Sequence, residues 1–295
     1  MTAPSRPDVL ICAGLDPSGG AGLIADVRVV TELGGRPTGV VTALTVQNTT
    51  AVLRSEPVSD EVIREQLELL LSDVEVRAVK IGMIGSTAVA RSIGAALALT
   101  GAPVVWDPVI QPSRGEVPFI DSEFGDALAA LIPHVRLLTP NALELAFLTG
   151  APLADLAAAI EAGRALAARL ATAVLIKGGH FAASDPDESI DVLCEPGAGG
   201  AGGAGPGGDG GAGPGEGRGE GRGEGRGEGR IELLRGPRLV RGEHVHGTGC
   251  ALSSAIATHL ALGADLASAC RAAKAFVAAR IAAPTHPGRG AAAIV

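Results

Sequence analysis

Aromatic residues are scarce in this chain: they make up 2% of its 295 residues, with one tryptophan, five phenylalanines and no tyrosine. Proteins that bind single-stranded nucleic acid stack the bases on aromatic side chains, so this composition argues against that class. The hydrophobic fraction is nevertheless 46%. We therefore expect a large core built from alanine, valine, leucine and isoleucine.

Basic residues are also in short supply. The 24 lysines and arginines are outnumbered by 32 acidic residues, which gives a formal net charge of -8. A protein that binds nucleic acid in general needs a basic face to neutralise phosphates. We therefore expect no nucleic-acid partner and look for a small-molecule ligand instead.

The four cysteines, Cys12, Cys194, Cys250 and Cys270, form no C-x-x-C pair and no metal-ligand spacing. Such cysteines are typical of reduced thiols in a cytoplasmic protein. The first residues lack the apolar core of a signal peptide, and no apolar run is long enough to cross a bilayer. We expect a cytoplasmic protein without a membrane partner.

Short apolar runs bounded by glycine or proline alternate with amphipathic segments, which is typical of a parallel sheet covered on both faces. The sequence predicts a single α/β domain over residues 1–295, a three-layer α/β/α sandwich with a mostly parallel central sheet. The predicted strands are 8–14, 38–46, 77–85, 102–110, 135–140, 172–180, 189–195 and 231–240. The predicted helices are 21–33, 59–72, 86–99, 122–131, 141–149, 155–170, 249–262 and 265–282.

Residues 197–230 differ from the rest of the chain. They are dominated by glycine and then by an E-G-R-G repeat, without an apolar residue larger than alanine or proline. Such a segment cannot offset its ordering entropy by burying apolar surface. We expect a flexible insertion within the domain, at the tip of a hairpin; an interaction segment is the alternative.

Residues suited to ligand binding follow the predicted strands at their carboxyl ends, where ligands bind in doubly wound sheets. They are Asp16, Gln47, Met83, Asp107, Asn141 and Lys177. The first follows Gly14 in the glycine-rich turn "GLDPSGGAGLIAD", which lacks the Walker pattern. Its carboxylates, Asp16 and Asp26, would repel phosphate, so the turn suits a polar substrate. A tight turn that needs glycine is the structural alternative.

Four positions, three of them among the residues just named, suggest phosphate chemistry. Asp107, Asn141 and Glu144 offer oxygen ligands suited to Mg²⁺, although Asn141 could equally cap a helix and Glu144 could be a charge at a helix start. Lys177 directly follows a buried strand, where a nucleotide phosphate would neutralise it. The alternative is a lysine that extends its charge to solvent.

The stretch "HGTGC" at residues 246–250 places a cysteine at a helix start. Gly247, Thr248 and Gly249 could direct their N–H groups at a developing negative charge and form an anion hole. The helix dipole could shift Cys250 toward the thiolate, which would then accept a proton from a substrate hydroxyl. A small packing residue is the alternative for Cys250.

Taken together, the chain resembles the hydroxymethylpyrimidine/phosphomethylpyrimidine kinases of thiamine biosynthesis, within the ribokinase-like superfamily. The resemblance runs from about residue 8 to residue 282 and rests on seven stretches in family order. They are "AGLDPSGGAGLIADVRVVTELGG", "VVTALTVQNT", "VKIGMIGS", "WDPVI", "LLTPNALELAFLTG", "LIKGGH" and "HGTGCALSSAIATHLALG".

This resemblance implies a ribokinase-like fold, a homodimer, and transfer of the ATP γ-phosphate to 4-amino-5-hydroxymethyl-2-methylpyrimidine and then to its monophosphate. It implies that the pyrimidine contacts Gln47, Met83 and Val109, with Asp26 and the turn at Gly14 nearby. The remaining implied roles are an anion hole at Gly247–Gly249, Cys250 as base, Lys177, Asn141 and Thr248 at the nucleotide, and Mg²⁺ near Asp107 and Glu144.

Two other functions remain open on the sequence. Relatives with the same cysteine motif phosphorylate pyridoxal, so a pyridoxal kinase is the nearest alternative, although Gln47 with Met83 favours the pyrimidine. A non-catalytic protein that binds the pyrimidine is the second alternative. It has no need of the phosphoryl-transfer residues that this chain carries.

Overall fold

The computed structural model describes residues 6–110, 124–180, 187–197, 229–239 and 245–295. Nine strands form one sheet in the order β3-β2-β1-β4-β5-β6-β7-β8-β9, and two short strands pair separately. The nine are β1 (Asp8–Leu15), β2 (Arg36–Gln47), β3 (Val52–Pro57), β4 (Val76–Ile81), β5 (Val104–Trp106), β6 (Val135–Leu138), β7 (Ala173–Ile176), β8 (Glu188–Cys194) and β9 (Ile231–Pro237). The short pair is β10 (Val245–His246) with β11 (Ala292–Ala293).

Helices cover both faces of this sheet. One face carries α2 (Asp60–Asp73), α3 (Thr87–Leu97), α4 (Phe124–Leu131), α5 (Ala142–Thr149) and α6 (Leu156–Leu170). The other carries α1 (Gly22–Glu32), α7 (Thr248–Ala261) and α8 (Leu266–Ala282). Successive strand residues point to opposite faces, so Leu10 and Cys12 of β1 pack in the first layer while Val9 and Ile11 pack in the second. The predicted three-layer α/β/α architecture is confirmed.

The sheet is mostly parallel, as predicted. Strands β2, β1, β4, β5, β6 and β7 run parallel, whereas β3 pairs antiparallel to β2 and β8 pairs antiparallel to β7 and β9. The predicted strand pair β8–β9 is present, and residues 198–228 of the expected insertion lie outside the described residues. None of the described helices is long and apolar enough to span a membrane.

Two strands are shorter than the sequence predicts. The run predicted as 77–85 is a strand only to Ile81, and the run predicted as 102–110 only over Val104–Trp106. Their last residues leave the sheet for turns, so that Met83 and Asp107 lie beyond the strand ends and face an open cleft. The edge strand β3, which the sequence pattern did not indicate, extends the sheet next to β2.

Candidate active site

A cleft of about 1650 Å³ lies at the carboxyl edge of the parallel strands. A pocket for a single small ligand typically encloses about 300 to 1,000 Å³, so this cleft has room for two. The residues predicted at the strand ends all line it, namely Asp16, Gln47, Met83, Asp107, Asn141 and Lys177. Gly14 and Val109 line it as well.

A compact charged cluster, formed by Lys177, Asp107 and Glu144, lies in the cleft wall. The Nζ atom of Lys177 lies 2.6 Å from Asp107 Oδ1 and 3.5 Å from Glu144 Oε2. Burial alone would lower the pKa of Lys177, but the charges of Asp107 and Glu144 raise it above its usual value. The lysine therefore presents a permanent positive charge, which suits it to an anionic ligand.

Asn141 and Glu144 form the first turn of α5. The Asn141 side-chain oxygen accepts from the Glu144 N–H at 2.9 Å, and Glu144 Oε2 accepts from the Asn141 N–H at 2.7 Å, which makes a capping box. The helix-cap interpretation of Asn141 is thus confirmed. The same hydrogen bonds hold the Glu144 carboxylate toward Lys177.

The side chains around Asp107 and Glu144 determine whether these residues can hold the predicted Mg²⁺. Among the described residues, no group of three or more His, Cys, Asp or Glu side chains could hold a metal ion. Mg²⁺ is usually held by one or two carboxylates together with phosphates and water. The carboxylates of Asp107 and Glu144 therefore fit Mg²⁺ that arrives with a nucleotide, and do not fit a cage built from protein ligands alone.

The turn that precedes α7 brings backbone N–H groups to the cleft. Gly247 caps the helix with a left-handed φ of 87°, and a Cβ there would lie 2.1 Å from the Gly20 carbonyl oxygen. A Cβ on Gly249 would lie 3.2 Å from Lys177 Nζ and 3.3 Å from Asp107 Oδ2. The N–H groups of a first helical turn have no partner within the helix. The backbone N–H groups at Thr248 and Gly249 are therefore free to bind an anion that lies beside Lys177.

Cys250 follows this turn, lines the cleft and is half-buried, whereas the other three cysteines are buried. The predicted shift toward the thiolate is wrong. Burial raises the pKa of the Cys250 thiol to about 11, and the cation of Lys80 only partly opposes that rise. Desolvation of a charged sulfur outweighs the helix dipole at this position, so the thiol is the main form at neutral pH.

Asp26, which the resemblance implies lies near the substrate, does not itself line the cleft. Its side chain is fully buried, where Oδ2 lies 2.5 Å from Lys80 Nζ and Oδ1 accepts from Ser254 Oγ at 2.8 Å. Its partner Lys80 borders the cleft, although the side chain of Lys80 is fully buried as well. Lys80 was not among the residues predicted from the sequence, even though a lysine inside a buried apolar strand is itself an unusual signal.

Asp16 lines the cleft, but its carboxylate is occupied by the chain. Oδ1 accepts from the N–H and Oγ of Ser18, and Oδ2 accepts from the Ala21 N–H at 3.0 Å and lies 3.5 Å from His246 Nε2. Burial alone would raise the pKa of Asp16, but the bonds from His246 and Ser18 lower it. Asp16 therefore shapes the glycine-rich turn, in agreement with the structural alternative for that segment.

Close packing also explains Gly14. A Cβ there would lie 2.9 Å from Met83 Sδ, so glycine lets the Met83 side chain lie against the turn. Gln47 is the last residue of β2, and Val109 follows β5. The structure thus brings Gln47, Met83 and Val109 to one wall of the cleft, with Gly14 beside them.

Lysine usage gives a further signal that the sequence analysis did not exploit. Only three of the 24 basic residues are lysines, and all three line the cleft. Each lies against a buried aspartate: Lys80 at 2.5 Å from Asp26, Lys177 at 2.6 Å from Asp107, and Lys274 at 2.9 Å from Asp191. All other basic residues are arginines, so the positions of the lysines in the sequence point to this cleft.

The sequence profile of the phosphomethylpyrimidine kinase family matches residues 16–200 and 227–294. The chain is 34% identical to the hydroxymethylpyrimidine/phosphomethylpyrimidine kinase of Streptomyces coelicolor, over 98% of this chain and 96% of that protein.

Solved structures show the same fold. The phosphomethylpyrimidine kinase of Clostridium difficile superposes with a TM-score of 0.69 at 27% identity, covering 94% of this chain and 100% of that one. The pyridoxal kinase of Staphylococcus aureus, solved with AMP-PCP, superposes with a TM-score of 0.76 at 24% identity, covering 98% and 93%. That second likeness is one of fold alone.

Proposed function

The chain belongs to the phosphomethylpyrimidine kinase family, and on that premise we propose that it phosphorylates 4-amino-5-hydroxymethyl-2-methylpyrimidine and then the monophosphate, with ATP as donor. One observation carries this proposal. The Lys177–Asp107 pair and Cys250 share a single cleft with Gln47 and Met83, at the edge of the sheet where ligands bind.

The phosphate end of the cleft is formed by Lys177 and the first turn of α7. In this proposal the ammonium of Lys177 and the N–H groups of Thr248 and Gly249 receive the γ-phosphate, and Asn141 holds Glu144 beside them. Phosphoryl transfer depends mainly on positioning and on charge stabilisation. The ammonium of Lys177 is already fixed 2.6 Å from Asp107, so it can position the phosphate and stabilise its charge without rearrangement.

The substrate end is formed by Gln47, Met83 and Val109. The amide of Gln47 can donate to and accept from an aminopyrimidine, whose ring nitrogens and amino group offer both kinds of partner. The thioether of Met83 and the side chain of Val109 supply apolar contacts to the ring faces. Gly14 leaves the space that Met83 occupies.

In the reaction, the substrate hydroxyl oxygen attacks the γ-phosphorus. A new oxygen–phosphorus bond forms while the bond from that phosphorus to the oxygen of the departing ADP breaks. The hydroxyl proton passes to the thiolate form of Cys250 and from there to solvent. That form is a minor species at neutral pH because burial raises the pKa of Cys250 to about 11, so the rate should respond to pH.

Mg²⁺ would be held by Asp107 and Glu144 together with the nucleotide phosphates. It would neutralise phosphate charge as the bond to ADP breaks. Lys177 already lies against both carboxylates and orients them toward the same region.

The site of assembly in this proposal is the β2–β3 edge of the sheet. Leu44, Val46 and Leu53 are exposed there, and an exposed apolar strand edge normally needs a cover. A second copy of the chain would supply it and make a homodimer in the cytoplasm. Light scattering with gel filtration tests this point: Leu53→Asp should convert a dimer to a monomer, and a wild-type monomer would exclude the homodimer.

A time course with mass detection tests the activity. Wild-type protein incubated with ATP, Mg²⁺ and the hydroxymethylpyrimidine should produce the monophosphate first and the pyrophosphate later, with stoichiometric ADP. Product that stops at the monophosphate would remove the second step from the proposal. Binding of the pyrimidine without any ADP would instead favour the non-catalytic alternative.

A further inference from the structure

Helices α1 and α7 are joined by two contacts, one helical turn apart. The Gly22 N–H at the start of α1 donates to the Cys250 sulfur. One turn further along both helices, Ser254 Oγ donates to Asp26 Oδ1 at 2.8 Å. Residues four apart lie on one face of a helix, so Gly22 with Asp26 and Cys250 with Ser254 form matching sides of one seam.

Lys80, the next-to-last residue of β4, reaches this seam. Its side chain is fully buried, and Nζ lies 2.5 Å from Asp26 Oδ2. A Cβ on Gly82 would lie 2.7 Å from that Nζ, so the glycine at 82 leaves room for the ammonium in its present position. Burying a charge is costly unless it is paired. Hydrophobic residues could fill the same space without this cost, so stability alone does not explain why the chain buries an ion pair here.

Building on the proposed function, we propose that Lys80 and Asp26 are positioning residues that act through Cys250. Their buried charges, fixed in the α1–α7 seam, set how readily the Cys250 thiol gives up its proton and so how much thiolate is ready to receive the substrate proton. The cation of Lys80 favours the thiolate, and the carboxylate of Asp26 opposes it.

The charges around Cys250 come from four elements. Asp26 lies on α1, Lys80 on β4, Asp107 after β5 and Lys177 after β7. Lys80 opposes the rise in the Cys250 pKa that burial causes, whereas Asp26 and Asp107 add to it. The pKa of Lys80 is itself raised: burial lowers it, but the charges of Asp26, Cys250 and Asp107 outweigh that effect. Lys80 is therefore charged at neutral pH.

Alkylation of Cys250 by iodoacetamide, measured against pH without substrate, tests this inference. Adducts are identified by peptide mapping, with Cys250→Ala as the background. Asp26→Asn should alkylate about threefold faster than wild type at a given pH, and Lys80→Met about threefold slower. The factor is about threefold because a tenfold change in the thiolate population is partly offset by the nucleophilicity of the thiolate, which falls when its pKa falls.

Lys274→Met is the matched control, because Lys274 also lies in the cleft 2.9 Å from a buried aspartate, Asp191. It should leave Cys250 alkylation within about twofold of wild type, since each variant removes one buried charge but only Lys80 and Asp26 lie in the seam. Circular dichroism confirms that each variant is folded. If Lys80→Met does not fold, Asp26→Asn alone decides, because its expected change is a gain in reactivity.

Equal alkylation of wild type, Asp26→Asn and Lys80→Met would overturn the inference. So would a loss of kcat in Lys80→Met without slower alkylation, since Lys80 would then contact the substrate directly. The alkylation profile needs no kinase activity. Suppose that the wild-type protein fails to phosphorylate the pyrimidine, while Asp26→Asn is alkylated faster and Lys80→Met more slowly than wild type. The proposed function would then be refuted, and the effect of the pair on Cys250 would stand.

Discussion

Lys177 Nζ lies 2.6 Å from Asp107 Oδ1, an ion pair that joins the end of β7 to the end of β5 across the end of the intervening β6. Glu144, from the helix that follows β6, lies 3.5 Å from the same Nζ. Three neighbouring strands thus deliver one cation and two carboxylates to a single point. The sheet order itself positions the charge that, in the proposed function, receives the phosphate.

The first prediction concerns Lys177. Lys177→Met should lower kcat about 100- to 1,000-fold, the usual cost of losing one preorganised group that stabilises transition-state charge. Lys177→Arg should recover part of the loss, because it keeps the charge but changes the geometry of a 2.6 Å contact. Steady-state kinetics on folded variants checks this. A Lys177→Met enzyme within threefold of wild type would remove Lys177 from the mechanism.

A second prediction compares the two glycines that flank α7. Gly247 and Gly263 have left-handed φ angles of 87° and 91°, but a Cβ meets the Gly20 carbonyl oxygen at 2.1 Å only at Gly247 and nothing within 4 Å at Gly263. Gly263→Ala should destabilise the protein by about 1 to 2 kcal/mol from backbone strain alone. Gly247→Ala should cost clearly more and also reduce kcat.

Urea unfolding of both variants measures this difference, with Gly263→Ala as the control for strain. Equal losses of stability would mean that the contact between Gly247 and Gly20 contributes nothing. Equal kcat values for Gly247→Ala and wild type would contradict the placement of an anion hole at this turn.

The edge of the sheet that carries the site was predictable from the sequence. Buried parallel strands have distinctive apolar runs, and polar residues at their ends must meet at one edge. Asp107, Asn141 and Lys177 were found in this way, and the structure places all three in the cleft. The expected capping role of Asn141 needed only the N-x-x-E spacing, because a capping box is a local feature.

Long-range pairing was not predictable in the same way. Asp26 and Lys80 are 54 residues apart, and only the pairing of β1 with β4, with α1 packed on β1, brings them together. The family resemblance implied a place for Asp26 near the substrate, and nothing local in the sequence shows that its carboxylate faces inward. The pKa of Cys250 was misjudged for a related reason: a helix dipole can be read from the sequence, but desolvation depends on the surrounding structure.

A third prediction follows from the pKa of about 11 for Cys250. If the thiolate accepts the substrate proton, its population grows about tenfold per pH unit below that value. Wild-type kcat should therefore rise between about pH 7 and about pH 9 when chemistry limits the rate. Single-turnover kinetics on rapidly mixed enzyme, ATP and pyrimidine isolates that step. A flat profile would exclude Cys250 as the base.

Cys250→Ala gives the fourth prediction. It should lower kcat about 100-fold or more, the usual range for a lost general base, and its remaining activity should not follow the thiol titration. ATP affinity should stay within about twofold of wild type, because the charge that meets the phosphate comes from Lys177 and the α7 turn. Calorimetry measures that affinity. A fully active variant would return Cys250 to a packing role.

The central claim is that this cleft phosphorylates a hydroxymethylpyrimidine, and the most direct measurement is kcat/KM for that pyrimidine beside kcat/KM for pyridoxal, with the same enzyme, ATP and Mg²⁺. The account predicts a clear preference for the pyrimidine, about tenfold or more, because one well-placed hydrogen-bond partner such as Gln47 contributes at least that much discrimination. Equal values would contradict a pyrimidine-specific site, and a preference for pyridoxal would make the chain a pyridoxal kinase instead.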